Sequence, residues 1–249
     1  MSSLLPVDPA QRSRPSVILL GALLGFLIGE IAAMVLVAVG AHVANVSGGL
    51  RAVAGSSTPP WWANALSLGG LWTGFAVAIY VASTRGQLRA LAHQWRLQPS
   101  DSLYVLLGLA LQALVVLAYR PFHFKQLNQP VHHLFGDTHG PTFVVVALLT
   151  TLGAPFMEEW FFRGVVFRGL RDAFADRTPR VASWAAIIVS AGLFALAHAE
   201  PLQFAGLAFL GVILALLVQQ TERLTPSIIT HVSFNAVAMV ALVVQRSGH

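Results

Sequence analysis

An all-α protein of about seven membrane-crossing helices is the fold that the sequence predicts, and three observations predict it. Only 10% of the 249 residues are charged and 56% are hydrophobic, with a mean hydropathy of +0.70, whereas soluble domains carry roughly 25% charged residues. The apolar runs approach the ~20 residues that a helix needs to cross a bilayer. Arginines gather in alternate connections between those runs. The same figures exclude other classes. A net charge of +5, spread over short connections, makes no basic stripe, so no nucleic-acid partner is expected. Zero cysteines remove a disulfide framework, a thiolate zinc site and a cysteine nucleophile.

Taken in order, residues 1–15 contain three prolines, Asp8, Arg12 and Arg14, and read as a short cytoplasmic tail. Val17 to about Val43 is the first span, too long for a cleavable signal, with Glu30 its only charge. Glu30 reads as a helix–helix or bundle-lining group. The Gly/Ser/Pro-rich stretch 47–60 is a loop, and Trp61-Trp62 opens the second span as an interfacial belt. Arg85, Arg89 and Arg96 mark a basic segment, and Leu103 to Tyr119 is the third span. The polar stretch 120–140 holds His123, His132, His133 and His139, read as loop residues. The fourth span runs from about Phe143 to Leu170, Val181 to Ala197 is the fifth, Phe204 to Val218 a short sixth and Pro226 to Val244 the seventh. The positive-inside rule places the N-terminus in the cytoplasm and the C-terminus outside. The domain reading is a tail (1–15), N-terminal transmembrane helices without a motif (16–140) and a motif-bearing core (141–249).

The fourth span contains Glu158-Glu159-Trp-Phe-Phe-Arg163 in an otherwise apolar run. An intramembrane carboxylate costs several kcal/mol unless it is paired or lines a wet cavity, so it marks function by default. Glu159 and Arg163 are spaced i,i+4 and can pair on one face. Glu158 has no such local cation and needs a partner from another helix. Two further polar groups stand on apolar helices: His198 closes the fifth span, and His231 and Asn235 share one face of the seventh. Together these supply a carboxylate base, an imidazole to hold a water, and His and Asn donors for an oxyanion.

These three clusters, Glu158-Glu159-x-x-x-Arg163, Phe194-x-x-x-His198 and His231-x-x-x-Asn235, resemble the three motifs of the CPBP intramembrane proteases. That family includes the CAAX prenyl endopeptidases and the Abi, or bacteriocin-processing, proteins. The resemblance covers about residues 142–246, and Thr225-Pro-Ser-Ile-Ile-Thr-His231 also looks typical of it. It implies hydrolysis of a membrane-associated peptide or protein substrate, prenylated CAAX-like or bacteriocin-like, in a multi-pass protein of a bacterial plasma membrane. Glu158 and His198 would activate the water, Glu159 would hold His231, and His231 with Asn235 would bind the oxyanion, with Arg163 and Phe194 in support. Zinc or another divalent metal on His198 and His231 is a further expectation, although no HExxH spacing is present. Two readings of other classes stand beside this one. A non-catalytic immunity or scaffold protein would tolerate degenerate motifs, whereas these are complete. A proton-coupled transporter would favour repeat symmetry, which the sequence lacks.

If every span is a full crossing, His198 sits near the outer end of its helix and His231 near the inner end of another. Both must nonetheless approach Glu158.

Overall fold

The computed structural model describes residues 14–82, 95–124, 126–127, 129–136, 138–175 and 177–247. The readings made for residues 1–13, Arg85 and Arg89 lie outside the described residues. Among those described there are helices and no strands: α1 (Pro15–Val43), α2 (Gly49–Ala54), α3 (Trp61–Ala82), α4 (Leu103–Tyr119), α5 (Gln129–Phe135), α6 (Gly140–Ala173), α7 (Pro179–Ala197), α8 (Phe204–Thr221) and α9 (Thr225–Ser247). Seven segments are long and apolar enough to cross a membrane: α1, α3, Pro99–Phe122 with α4 inside it, α6, α7, α8 and Thr225–Arg246 within α9. The all-α, seven-span expectation therefore holds, the short sixth span included.

Side-chain ties sort the helix ends into two groups. At one end Arg171 pairs with Glu222 at 2.7 Å, joining the end of α6 to the α8–α9 turn. There too Arg223 forks onto Asp101 at 2.7 and 2.8 Å, joining that turn to the start of α4. Ile18 of α1 packs at Gly169 at this same end. At the other end Arg246 donates to the carbonyls of Thr138 and Phe135, Gln203 donates to Leu127, and Asn64 of α3 donates to Leu134. Successive spans thus run in opposite directions, and α4 and α9 run parallel.

Apolar helices gain nothing from mutual burial in lipid, so small residues that let backbones approach hold them together. Gly25-x-x-x-Gly29 on α1 faces Gly70-x-x-x-Gly74 on α3. A Cβ at Gly70 would overlap the backbone of Ala33, and one at Gly74 the backbone of Gly25 and Gly29. Gly108 of α4 sits in the same way against Thr230 and Ser233 of α9. Glu30 is exposed on α1 and lines a cavity of about 420 Å³ shared with Asn64, Ser67 and His133. It is a lining group, as its sequence position suggests.

Candidate active site

The helix that carries the two carboxylates is not a uniform α-helix. In α6 the turns widen to π-helix over Leu149–Gly153 and again over Glu159–Phe167, with α-helical Ala154–Glu158 between. Such wide turns are rare and concentrate at functional sites. Each loosens the local ladder of backbone bonds, and one consequence is visible. The Thr150 carbonyl accepts the Asn235 side-chain amide from α9 at 3.1 Å.

The adjacent carboxylates meet different surroundings. Glu159 is fully buried, and its Oε1 lies 2.9 Å from Arg163 Nη1 and 3.1 Å from His231 Nδ1. The Arg163 contact is ionic and its N–H does not line up as a hydrogen bond. Arg163 is itself buried, donates through Nη2 to the Gly211 carbonyl at 3.2 Å, and stands 4.4 Å over the Phe194 ring. Glu158 keeps 15% of its side chain open, and its Oε2 lies 3.8 Å from His231 Nε2. One carboxylate is locked and its neighbour is open. The partner from another helix that Glu158 requires is His231.

Phe194 joins the remaining groups. It is wholly buried, with its ring 4.7 Å from His198, 5.6 Å from His231 and 5.4 Å from Phe162. The depth conflict between the two histidines is thereby removed. Phe194 stands fifteen residues beyond the start of α7 and His231 six beyond the start of α9, yet their rings touch, so the two helices are offset along the membrane normal. His198 lies one turn past Phe194, just after the end of α7, and the next residue, Ala199, takes a left-handed backbone conformation (φ 53°) that stops the helix.

Both imidazoles have a fixed hydrogen. A backbone carbonyl can only accept, so the His198 Nδ1 that lies 2.8 Å from the Phe194 carbonyl carries the proton, and its Nε2 bears the lone pair when neutral. Glu159 imposes the same tautomer on His231.

Direct contact thus assembles Glu158, Glu159, Arg163 and His231; His198 joins through Phe194, and Asn235 follows one turn after His231. Thr150, Phe162, Ser190 and Gly211 complete the shell, with Ser190 Oγ donating to the Phe162 carbonyl at 3.0 Å. Sequence reasoning does not single out these four. Thr150, Phe162 and Gly211 act through backbone carbonyls and Ser190 through a lone hydroxyl, and none of these carries a mark in sequence.

The fold and site define a helical, multi-pass membrane protein with a buried Glu–Arg–His network beside a second, more open carboxylate. Residues 140–237 match the family of Rce1-like, type II CAAX prenyl endopeptidases. The chain carries an Rce1-like domain, and that domain implies a multi-pass membrane protease. Comparison with curated proteins and with solved structures finds no match. The matched stretch begins at the start of α6, runs through α7 and α8, and takes in all three polar clusters.

Proposed function

We propose that the chain is an endopeptidase that hydrolyses a peptide bond of a membrane-associated substrate with a water activated by Glu158 and His198. The observation that carries this reading is the contrast between the two carboxylates. Glu159 is engaged by Arg163 and His231, while Glu158 keeps part of its side chain open and faces an imidazole. A general base needs a group that can accept a proton, and Glu158 is the carboxylate with room to do so. The lone pair on His198 Nε2 suits it to holding the attacking water.

His231 is the group beside the developing oxyanion. Its Nδ1 hydrogen is directed at Glu159, so it offers a second N–H through Nε2 only as imidazolium. Asn235 has two amide hydrogens and gives one to Thr150, so the second remains for the oxyanion. The proton taken by Glu158 then passes to the leaving amine, closing the cycle without a covalent intermediate.

The donor set fits a resident metal poorly. Among the described residues no three His, Cys, Asp or Glu side chains gather at ligating spacing, although the Nε2 atoms of both histidines are left free by the bonds at Nδ1. No step is therefore routed through an ion on His198 and His231.

The substrate is a membrane-associated peptide or protein, of CAAX-like or bacteriocin-like kind, and the location a bacterial plasma membrane with the N-terminus inside. The test presents purified enzyme with matched peptides, farnesylated and unmodified, together with a comparison of membrane peptidomes with and without active protein. Cleavage of either peptide, with shortened peptides in the active strain, supports the endopeptidase reading. A chain that releases none while preserving a biological phenotype would be an immunity or scaffold protein of the same fold.

A further inference from the structure

A cavity of about 410 Å³ lies between the C-terminal halves of α4 and α9, at the membrane end away from the Arg171–Glu222 pair. Its size falls in the ~300–1,000 Å³ range of small-molecule sites. Its walls are mostly apolar, from Val116 on α4 to Ala238, Ala241 and Leu242 on α9, with Gln112 of α4 the polar exception, and Val116 is 57% exposed where the cavity opens toward the hydrocarbon. Its mouth is different. Arg120, His123, His132 and the Gln245 amide line it, and among the described residues that line the cavity none is acidic. Tyr119 adds a hydroxyl that accepts the Gly206 N–H at 3.0 Å and so keeps its own hydrogen to donate. His123 Nδ1 donates to the Pro121 carbonyl at 2.9 Å, so the neutral ring presents a lone pair at Nε2 and adds no donor to the mouth. Beside the mouth the exposed rings of Phe122 and Phe124 stack 5.5 Å apart, as aromatic side chains do at headgroup level.

We propose that this cavity binds an anionic phospholipid, its phosphate held by Arg120, His132 and Tyr119 and one chain lying between α4 and α9. A mouth with Arg120 and the Tyr119 hydroxyl, and no acidic side chain among the described residues that line it, selects negative charge, and the lateral opening at Val116 admits a ligand that arrives within the bilayer. The inference does not depend on the proteolytic reading, because the cavity is separate from Glu158 and its occupancy is read by binding.

The experiment is native mass spectrometry of the purified full chain with phosphatidylglycerol and phosphatidylcholine of matched acyl chains. Retention should favour phosphatidylglycerol. Arg120→Gln should reduce that preference about fivefold, the size of one basic side chain's attraction to an anionic surface. Arg51→Gln, a basic residue on α2 outside the cavity, should leave it unchanged. Ala241→Phe fills the cavity without altering charge, and should lower retention of both lipids. Equal retention of the two lipids, or an Arg120→Gln preference equal to wild type, would overturn the assignment. So would displacement of the lipid by equimolar inorganic phosphate, which would define a simple anion site, or Arg120-dependent binding of an apolar peptide carboxylate in its place.

Discussion

The α1–α3 pair and the α6–α9 unit face the same solvent and hold together by opposite means. Between α1 and α3 the backbones touch through Gly25, Gly29, Gly70 and Gly74, while Leu20, Ile31 and Val39 turn their side chains outward. Between α6, α7, α8 and α9 the ties are side-chain ones: Glu159 to Arg163 and His231, Arg163 to Gly211, Ser190 to Phe162, and Asn235 to Thr150. The difference teaches where chemistry can reside. A glycine seam is a packing device with no group to spare, whereas the buried polar network holds Glu159 in place and leaves its neighbour Glu158 partly open. Perturbing the first should cost assembly alone, and perturbing the second should cost assembly and chemistry together.

The largest expected effect is at Arg163. Removing one member of a buried ion pair leaves the other uncompensated, at a cost of about 3–5 kcal/mol, so Arg163→Ala should lower the melting temperature in detergent and abolish cleavage. A stable and fully active Arg163→Ala would show that Glu159 does not need its partner. Next comes Asn235→Ala, which removes one oxyanion donor and should slow cleavage about 10²–10³-fold. The Thr150 carbonyl loses its partner in the same variant, so some stability should fall with activity. Gly74→Val overfills the α1–α3 seam and should destabilise by at least about 1–3 kcal/mol. Peptide cleavage per folded molecule should stay unchanged there, and a selective loss of activity would break the division drawn between the two regions. The smallest effect expected is that of a divalent-metal chelator on the purified enzyme. Cleavage should persist, and loss restored specifically by zinc would return the metal to His198 and His231.

Much of this was legible in the sequence because hydropathy and helix geometry dominate a membrane protein. The fifth span was expected at Val181 to Ala197 and is Pro179–Ala197; the sixth was expected from Phe204 and starts there. The Glu159–Arg163 pair follows from i,i+4 spacing and forms as a 2.9 Å contact. The first wide turn of α6 lies just ahead of Pro155, which has no N–H to give to the helix ladder, whereas the turn over Glu159–Phe167 has no comparable mark in the sequence. Phe194 is flagged by its place in a motif, but its ring's contact with Arg163, His198 and His231 depends on the axial offset of α7 and α9, a long-range property. The α1–α3 seam is a case of the opposite kind. Its two Gly-x-x-x-Gly repeats are plain in the chain, and hydropathy does not register them.

The central claim is that Glu158 is the base and Glu159 the positioning carboxylate. Glu158→Gln keeps size and hydrogen-bonding reach but cannot accept the water's proton. The deciding measurement is the rate at which purified Glu158→Gln cleaves a substrate peptide, with its thermal stability recorded on the same sample. Cleavage should fall by at least the roughly 10²–10⁴-fold typical of lost acid–base catalysis, with a melting temperature close to wild type. Cleavage at the wild-type rate by a folded Glu158→Gln would contradict the mechanism.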